Sequence, residues 1–288
     1  RYSIMNKKIT LDFLKYNKIR NLKNENFKNL VKKIKSYLEN ENGYVVLKNF
    51  KIDKKNLIKT EKKYLNLASS LGVPLKQNKK GEKVAKVVDG GKKWSANTRG
   101  YTTSDPIPFH TDGGTYASLL CIENSSRGGK SIITESYKIY ETLKRKSPKV
   151  LKILEKGFKY HTRGESSNNH SQISKKKYPV FFYKNKYLHC MFNKKPMIWA
   201  LEKIKIKNKK KLFNALNYFE KISNRKKNII KFKLNPGEML IYNNYKILHG
   251  REQFYDNSSK KRLILRAWIK AKNSKYVGLN LLDAYQNR

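Results

Sequence analysis

The chain has 288 residues, with 66 Lys+Arg against 21 Asp+Glu, a formal net charge of +45 and a pI near 10.1. At 38% hydrophobic and 12% aromatic residues it carries enough apolar material for a packed core, which excludes disorder of the chain as a whole. No run reaches the ~18 to 20 apolar residues of a membrane-spanning helix and no charged-then-apolar leader opens the sequence, so a soluble, cytoplasmic protein is expected.

Arg1 to Ile4 precede Met5-Asn6-Lys7-Lys8, which reads as a start. Asn26 to Asn40 has apolar residues at three-and-four spacing and predicts an amphipathic helix stopped at Gly43. Gly43 to Phe50 is β-rich, Leu57 to Leu71 returns to helical periodicity until Gly72-Val73-Pro74, and Val84 to Val88 predicts a strand. From Asp89 to Pro108 the composition turns to Gly, Ser, Thr, Asn and Pro, an irregular loop long enough to be functional. Further strands are expected at Ser118 to Glu123, Ser131 to Thr134, Val180 to Tyr183, Tyr187 to Met191, Ile229 to Leu234, Met239 to Tyr242 and Leu263 to Ile269. Helices are expected at Ser136 to Leu154 and Lys209 to Ile222. Many short strands with helices before and between them imply a β-sandwich or jelly-roll barrel decorated by helices. Cys121 and Cys190 are too few for a disulfide framework and read as core thiols.

Lys outnumbers Arg five to one and is scattered through every segment beside abundant Asn, Ile and Tyr. That pattern reads as codon bias and a solvated surface rather than a phosphate-binding footprint, so nucleic acid is not an expected partner. Arg, being scarce, is informative, and three of the eleven fall between Arg251 and Arg266.

His110 and Asp112 lie in Phe109-His110-Thr111-Asp112-Gly113-Gly114. In an extended strand residues i and i+2 share a face, which sets an imidazole beside a carboxylate. His249, just past the strand at Met239 to Tyr242, completes a set of two His and one carboxylate, the facial pattern of non-haem Fe(II) oxygenases with open coordination positions. Arg262 and Arg266 share one face of the following strand, and planar guanidinium forks on a buried face call for carboxylates. Periodicity alone does not say whether that face or the one bearing Leu263, Leu265 and Ala267 is buried.

With these motifs in this order, the chain resembles the taurine dioxygenase-like and γ-butyrobetaine hydroxylase-like (TauD/TfdA) Fe(II)/2-oxoglutarate-dependent oxygenases. Gly43 to Leu47 is similar to the family's opening strand, Leu71-Gly72-Val73-Pro74 to its following turn and Phe109 to Gly113 to its metal motif. Gly128-Gly129-Lys130-Ser131 resembles a cosubstrate-binding segment, and Asn243-Asn244 to Arg251 the distal-His segment. The resemblance implies a mainly β fold with flanking helices, the double-stranded β-helix jelly roll of the clavaminate synthase-like type. One domain is expected over residues 1–288, with a core at about 44–270 and a helical N-terminal extension at 1–42.

By the same resemblance His110, Asp112 and His249 hold Fe(II), Ser131 and Arg262 hold the distal carboxylate of 2-oxoglutarate, and Arg266 lies near the cosubstrate or an anionic group of the substrate. The implied reaction consumes O₂, converts 2-oxoglutarate to succinate and CO₂, and oxidises a C–H bond of a small charged substrate; the carboxylate of Asp112 fits hydroxylation rather than halogenation. Asn97, Arg99 and Tyr101, from the irregular loop, are nominated to aim that substrate. His161, His170 and His189 match no family role, and Trp94, Trp199 and Trp268 read as structural. Two other readings stand beside this one: a binding protein on the same fold without catalysis, and an oxygenase acting on a polymer. The charge opposes bare self-association, while pairing of two copies through a helical face stays open.

Overall fold

The computed structural model describes residues 8–13, 25–78, 80–96, 98–165 and 172–286; Met5, Asn97 and His170 lie outside them. Its major sheet runs in the order β1 (Thr10–Asp12), β2 (Tyr44–Lys48), β12 (Met239–Asn243), β6 (Tyr116–Glu123), β15 (Leu263–Ala271) and β3 (Gly72–Pro74), with β4 (Ala85–Val87) also pairing with β15. A second sheet has the order β11 (Ile230–Phe232), β8 (Ser131–Glu135), β13 (Ile247–Arg251) and β5 (Ile107–His110). Two short pairs complete the strands: β7 (Arg127–Gly128) with β14 (Phe254–Tyr255), and β9 (Phe181–Lys184) with β10 (Tyr187–Cys190).

Alternation along the strands sorts side chains into two faces. Tyr44, Val46, Ala117, Cys121, Leu240 and Ile264 from the major sheet meet Ile133, Ile230, Phe232 and Ile247 from the second sheet, and together they fill the space between the sheets. The outer face of the major sheet carries Val45, Leu47, Leu120, Ile241, Leu265 and Ile269, covered by α1 (Glu25–Glu39) and α2 (Leu57–Leu71). On α1 the covering residues are Leu30, Ile34 and Leu38, four apart and wholly buried, while the intervening lysines face water. The outer face of the second sheet, with Phe109 and Leu248, packs against α3 (Ser136–Lys146), α4 (Pro148–Lys156), α5 (Lys194–Lys203) and α6 (Lys209–Ser223). A short α7 (Leu281–Gln286) adds Leu281, Ala284 and Tyr285 to that layer. The architecture is the expected jelly roll with flanking helices, and no helix among the described residues is long and apolar enough to cross a membrane.

Several elements differ from expectation. The helix expected over Ser136 to Leu154 breaks into α3 and α4 at Ser147-Pro148, because Pro148 has no N–H to donate and suits only the first helical turn. Gly72-Val73-Pro74, read as a turn, forms β3 against Lys270, with Gly72 so close to β15 that a Cβ there would lie 2.3 Å from the Lys270 carbonyl oxygen. β1, α5 and α7 were not expected, and β5 takes the end of the segment read as loop. Cys121 and Cys190 are buried free thiols.

Candidate metal centre and the cavities beside it

β13 and β5 pair antiparallel with His249 directly opposite His110, which brings the two imidazole centroids to 4.1 Å. The close approach depends on Gly250, where a Cβ would meet the Ile107 carbonyl oxygen at 2.5 Å. Asp112 is not on the strand with His110; β5 ends at His110 and Asp112 sits two residues into the following turn. There the Asp112 N–H donates to Asn244 Oδ1 (3.1 Å), while Asn244 Nδ2 donates to the carbonyls of Gly113 (3.0 Å) and Gly114 (3.3 Å). The buried Tyr242 hydroxyl donates to Asp112 Oδ2 at 3.0 Å and lies 3.0 Å from His249 Nε2. One ligand atom from each of His110, Asp112 and His249 falls within 4.8 Å of the others.

This donor set fits a divalent metal. His110 Nδ1 lies 2.9 Å from the Pro108 carbonyl, which can only accept, so Nδ1 carries the proton and Nε2 keeps its lone pair for a metal. Burial lowers the pKa of His110, and burial with the adjacent His110 holds His249 down to about 3, so both rings are neutral at pH 7. Burial alone would raise Asp112, but Arg266, His249 and His110 outweigh it and bring the carboxyl down to about 2. Two neutral imidazoles and one carboxylate are the protonation states that metal binding requires.

A stability profile follows. Burial also lowers His161 and His189. A His with a depressed folded pKa favours the folded state above its unfolded value near 6.5, and that contribution fades as pH falls toward the folded pKa. The chelator-treated protein is expected to keep a constant Tm from pH 8 to 7 and to lose stability from pH 6.5 toward 4, by up to ~1.4 kcal/mol per pH unit for each such His. A flat profile to pH 4 in thermal denaturation would contradict this electrostatic picture.

Beside His110 and His249 the barrel interior opens into a recess walled by Ser131, Arg251, Arg262 and Arg266 with Val87, Leu119 and Ile264. Ile264, Arg266 and Trp268 of β15 face this interior, and Arg262 just before the strand joins them, which resolves the parity that periodicity left open. Arg262 and Arg251 are both buried, their guanidinium carbons 5.1 and 4.6 Å from the Phe254 ring centre. Nε and Nη1 of each have no hydrogen-bond partner, although Arg251 Nη2 donates to the carbonyls of Thr103 (2.7 Å) and Asp105. Burial, then Arg262, depresses Arg251 to about 9; burial depresses Arg262 to about 10. Two desolvated cations with unpaired N–H groups fit a carboxylate.

Arg266 is committed differently: Nε donates to Gln77 Oε1 (2.8 Å), Nη1 lies 3.4 Å from Asp112 Oδ1, and its guanidinium sits between the rings of Tyr101 and Trp268 at 4.7 and 4.5 Å. A second cavity, which shares His110 and Arg266 with the first and also reaches Asp112, is lined by Trp94, Arg99, Tyr101, Arg163, Asn193, Trp268 and Tyr285. Of the loop residues nominated from sequence, Tyr101 borders both cavities, Arg99 borders this one but is ion-paired with Glu165, and Asn97 is outside the described residues. Trp94 and Trp268, read as structural, line it as well. His189 lies away from the site, its ring stacked on Phe182 at 4.9 Å.

Sequence reasoning missed Arg251, Tyr242, Asn244 and Arg163. Arg251 had a signal, being two residues after His249 and so on the same strand face; Tyr242 shares the interior face of β12 with Leu240. Arg163 and Tyr285 reach the cavity from segments with no motif.

The family model for "Taurine catabolism dioxygenase TauD, TfdA family" matches residues 15–268. The chain is 28% identical over 212 residues to FR-33289 synthase of Streptomyces rubellomurinus (strain ATCC 31215), covering 71% of this chain and 62% of that protein. It is 28% identical over 172 residues to γ-butyrobetaine dioxygenase of Homo sapiens, covering 56% of this chain and 43% of the relative. It thus spans less than two thirds of the length of either. Among solved structures, asparagine oxygenase (AsnO) superposes with a TM-score of 0.67 at 15% identity, over 93% of this chain and 94% of that one. The non-heme iron oxygenase OrfP, solved with Fe and alpha-ketoglutaric acid, superposes with a TM-score of 0.64 at 12% identity, over 88% and 86%.

Proposed function

The chain belongs to the taurine catabolism dioxygenase TauD, TfdA family, and on that premise we propose that it is an Fe(II)- and 2-oxoglutarate-dependent dioxygenase acting on a small charged organic substrate. The reaction oxidises a C–H bond of that substrate and converts 2-oxoglutarate to succinate and CO₂. The observation that carries this reading is a juxtaposition inside the barrel: the His110–Asp112–His249 cluster adjoins a recess where buried Arg251 and Arg262 hold unpaired N–H groups. A chelating 2-oxo acid with a distal carboxylate needs both.

A metal held by these residues would supply O₂ activation and a chelation site for the 2-oxo acid. The chain supplies everything else. His110, Asp112 and His249 offer three ligands, and Asn244 and Tyr242 orient the carboxylate between them. Arg262, Arg251 and Ser131 hold the distal carboxylate, while Arg266 balances the charge of Asp112. Tyr101 and Trp268 brace Arg266, and with Trp94 they wall the substrate cavity against water.

Anaerobic titration of the purified protein with Fe(II) and 2-oxoglutarate is expected to produce the visible metal-to-ligand charge-transfer band of a chelated 2-oxo acid. In air, succinate should then form with a suitable substrate. No band in folded, iron-supplied protein would overturn the oxygenase reading in favour of a binding protein on the same scaffold.

A further inference from the structure

A third cavity touches His110 from the side of the helical layer. β5 is the last strand of the second sheet. Beside it a hollow of about 200 Å³ is walled by Pro108 and Phe109 of β5, Ile198 of α5 and the ring of Trp94. Phe109 and Ile198 belong to the apolar cluster that joins the second sheet to its helices. The hollow shares His110 with the arginine recess, and Trp94, His110 and Asn193 with the cavity that reaches Asp112. No arginine lines it among the described residues.

The polar side chains that reach this hollow are already engaged. Lys194 is ion-paired with Glu220, Asn193 Nδ2 donates to the Tyr285 hydroxyl (3.3 Å), and Lys195 Nζ lies 3.6 Å from the centre of the Trp94 ring. The Trp94 indole in turn lies against Gly100, where a Cβ would meet the ring at 3.0 Å, and the Trp94 N–H of the backbone donates to Asp105 Oδ2 (2.8 Å). Trp94 is thus a braced partition between an apolar compartment and a polar one. Lys194 and Glu220 are partly exposed, with side-chain accessibilities of 16% and 29%, so the hollow meets solvent at their end and His110 at the other. An apolar cavity of this size favours small uncharged molecules such as xenon over water, and it has no spare polar group to repay the desolvation of a polar organic one.

We propose that this hollow is a holding site and entry route for dioxygen, which reaches the His110 side of the metal centre through it while the 2-oxo acid and the substrate occupy the other two cavities. The proposal rests on the oxygenase reading and concerns its gaseous reactant. O₂ is the one reactant of that reaction with no charge and no polar group to satisfy, so it is the one that an apolar wall favours. The other two approaches to His110 are lined by arginines, and organic molecules fill them before turnover.

Two measurements on the full chain test this. Crystals pressurised with xenon are expected to show anomalous density between Phe109, Ile198 and Trp94. Nitric oxide, an uncharged diatomic like O₂, is then mixed anaerobically in a stopped-flow instrument with protein loaded with Fe(II) and 2-oxoglutarate, and its binding is followed by visible absorption. Ile198→Trp, which fills the hollow, should slow the second-order binding of nitric oxide roughly fivefold or more, because entry then waits on side-chain motion. Its 2-oxoglutarate midpoint should stay unchanged. Ile198→Phe should slow binding less, and Ile198→Ala should not slow it. Xenon absent from the hollow, or an unchanged binding rate in folded Ile198→Trp, would overturn the route while leaving the oxygenase reading intact. The xenon result decides by itself if the filling variants fail to fold, and no charge-transfer band in the wild-type protein would overturn both readings.

Discussion

Asp112→Ala is expected to abolish turnover, with a fall of at least about 10³-fold, or about 4 kcal/mol of barrier, and to remove the charge-transfer band. The carboxylate is the only anionic donor of the cluster. Its loss leaves two imidazoles facing a metal and removes the partner of Arg266 Nη1 and of the Tyr242 hydroxyl. Stripping one partner from a buried charge pair also destabilises a fold, so Asp112→Asn serves as the isosteric variant that keeps polar atoms for both neighbours. Both variants should fail in succinate release under iron excess. Full activity in either would remove Asp112 from the site.

Arg262→Ala should raise the 2-oxoglutarate requirement by about 1.5 to 3 kcal/mol, the range for a hydrogen bond to a charged group; that is a KM increase of roughly 10- to 150-fold. The effect should fall on KM for 2-oxoglutarate more than on kcat, because Arg262 reaches the recess and not the metal ligands. Steady-state kinetics with varied 2-oxoglutarate measures it. An unchanged KM would transfer the carboxylate to Arg251, whose Nε and Nη1 face the same lack of partners.

Much of this was legible in the chain. The helix α2 matched its periodicity end to end, since Asn56 caps it by accepting from the Lys59 N–H and Gly72 closes it. α1 was read within one residue at each end. Local pattern dominates such amphipathic helices, and the four-residue spacing of the buried Leu30, Ile34 and Leu38 needs no distant partner to be recognised. By contrast α5 has no clean apolar stripe, β1 and β3 are three residues each, and strands so short owe their existence to the neighbours they pair with.

The site divides in the same way. His110 and Asp112 were visible as a pair, although the reason given for it was wrong in detail. They meet because a turn pinned by Asn244 swings Asp112 back, not because a strand alternates. That pinning involves a residue 132 positions away, so no local pattern contains it.

By itself, then, the sequence determined the candidate ligand types, their order and the family: two His, one Asp and a pair of late arginines in a chain rich enough in short apolar runs to build a barrel. Local chemistry and spacing carry that information. Only the tertiary structure decided which face of β15 turns inward, that Arg266 pairs with Asp112 while Arg251 joins Arg262, and that Arg163 reaches the cavity that Asp112 also lines. Those outcomes depend on strand register and on which groups lose water and find no partner, and both are properties of packed neighbours rather than of any one stretch of chain.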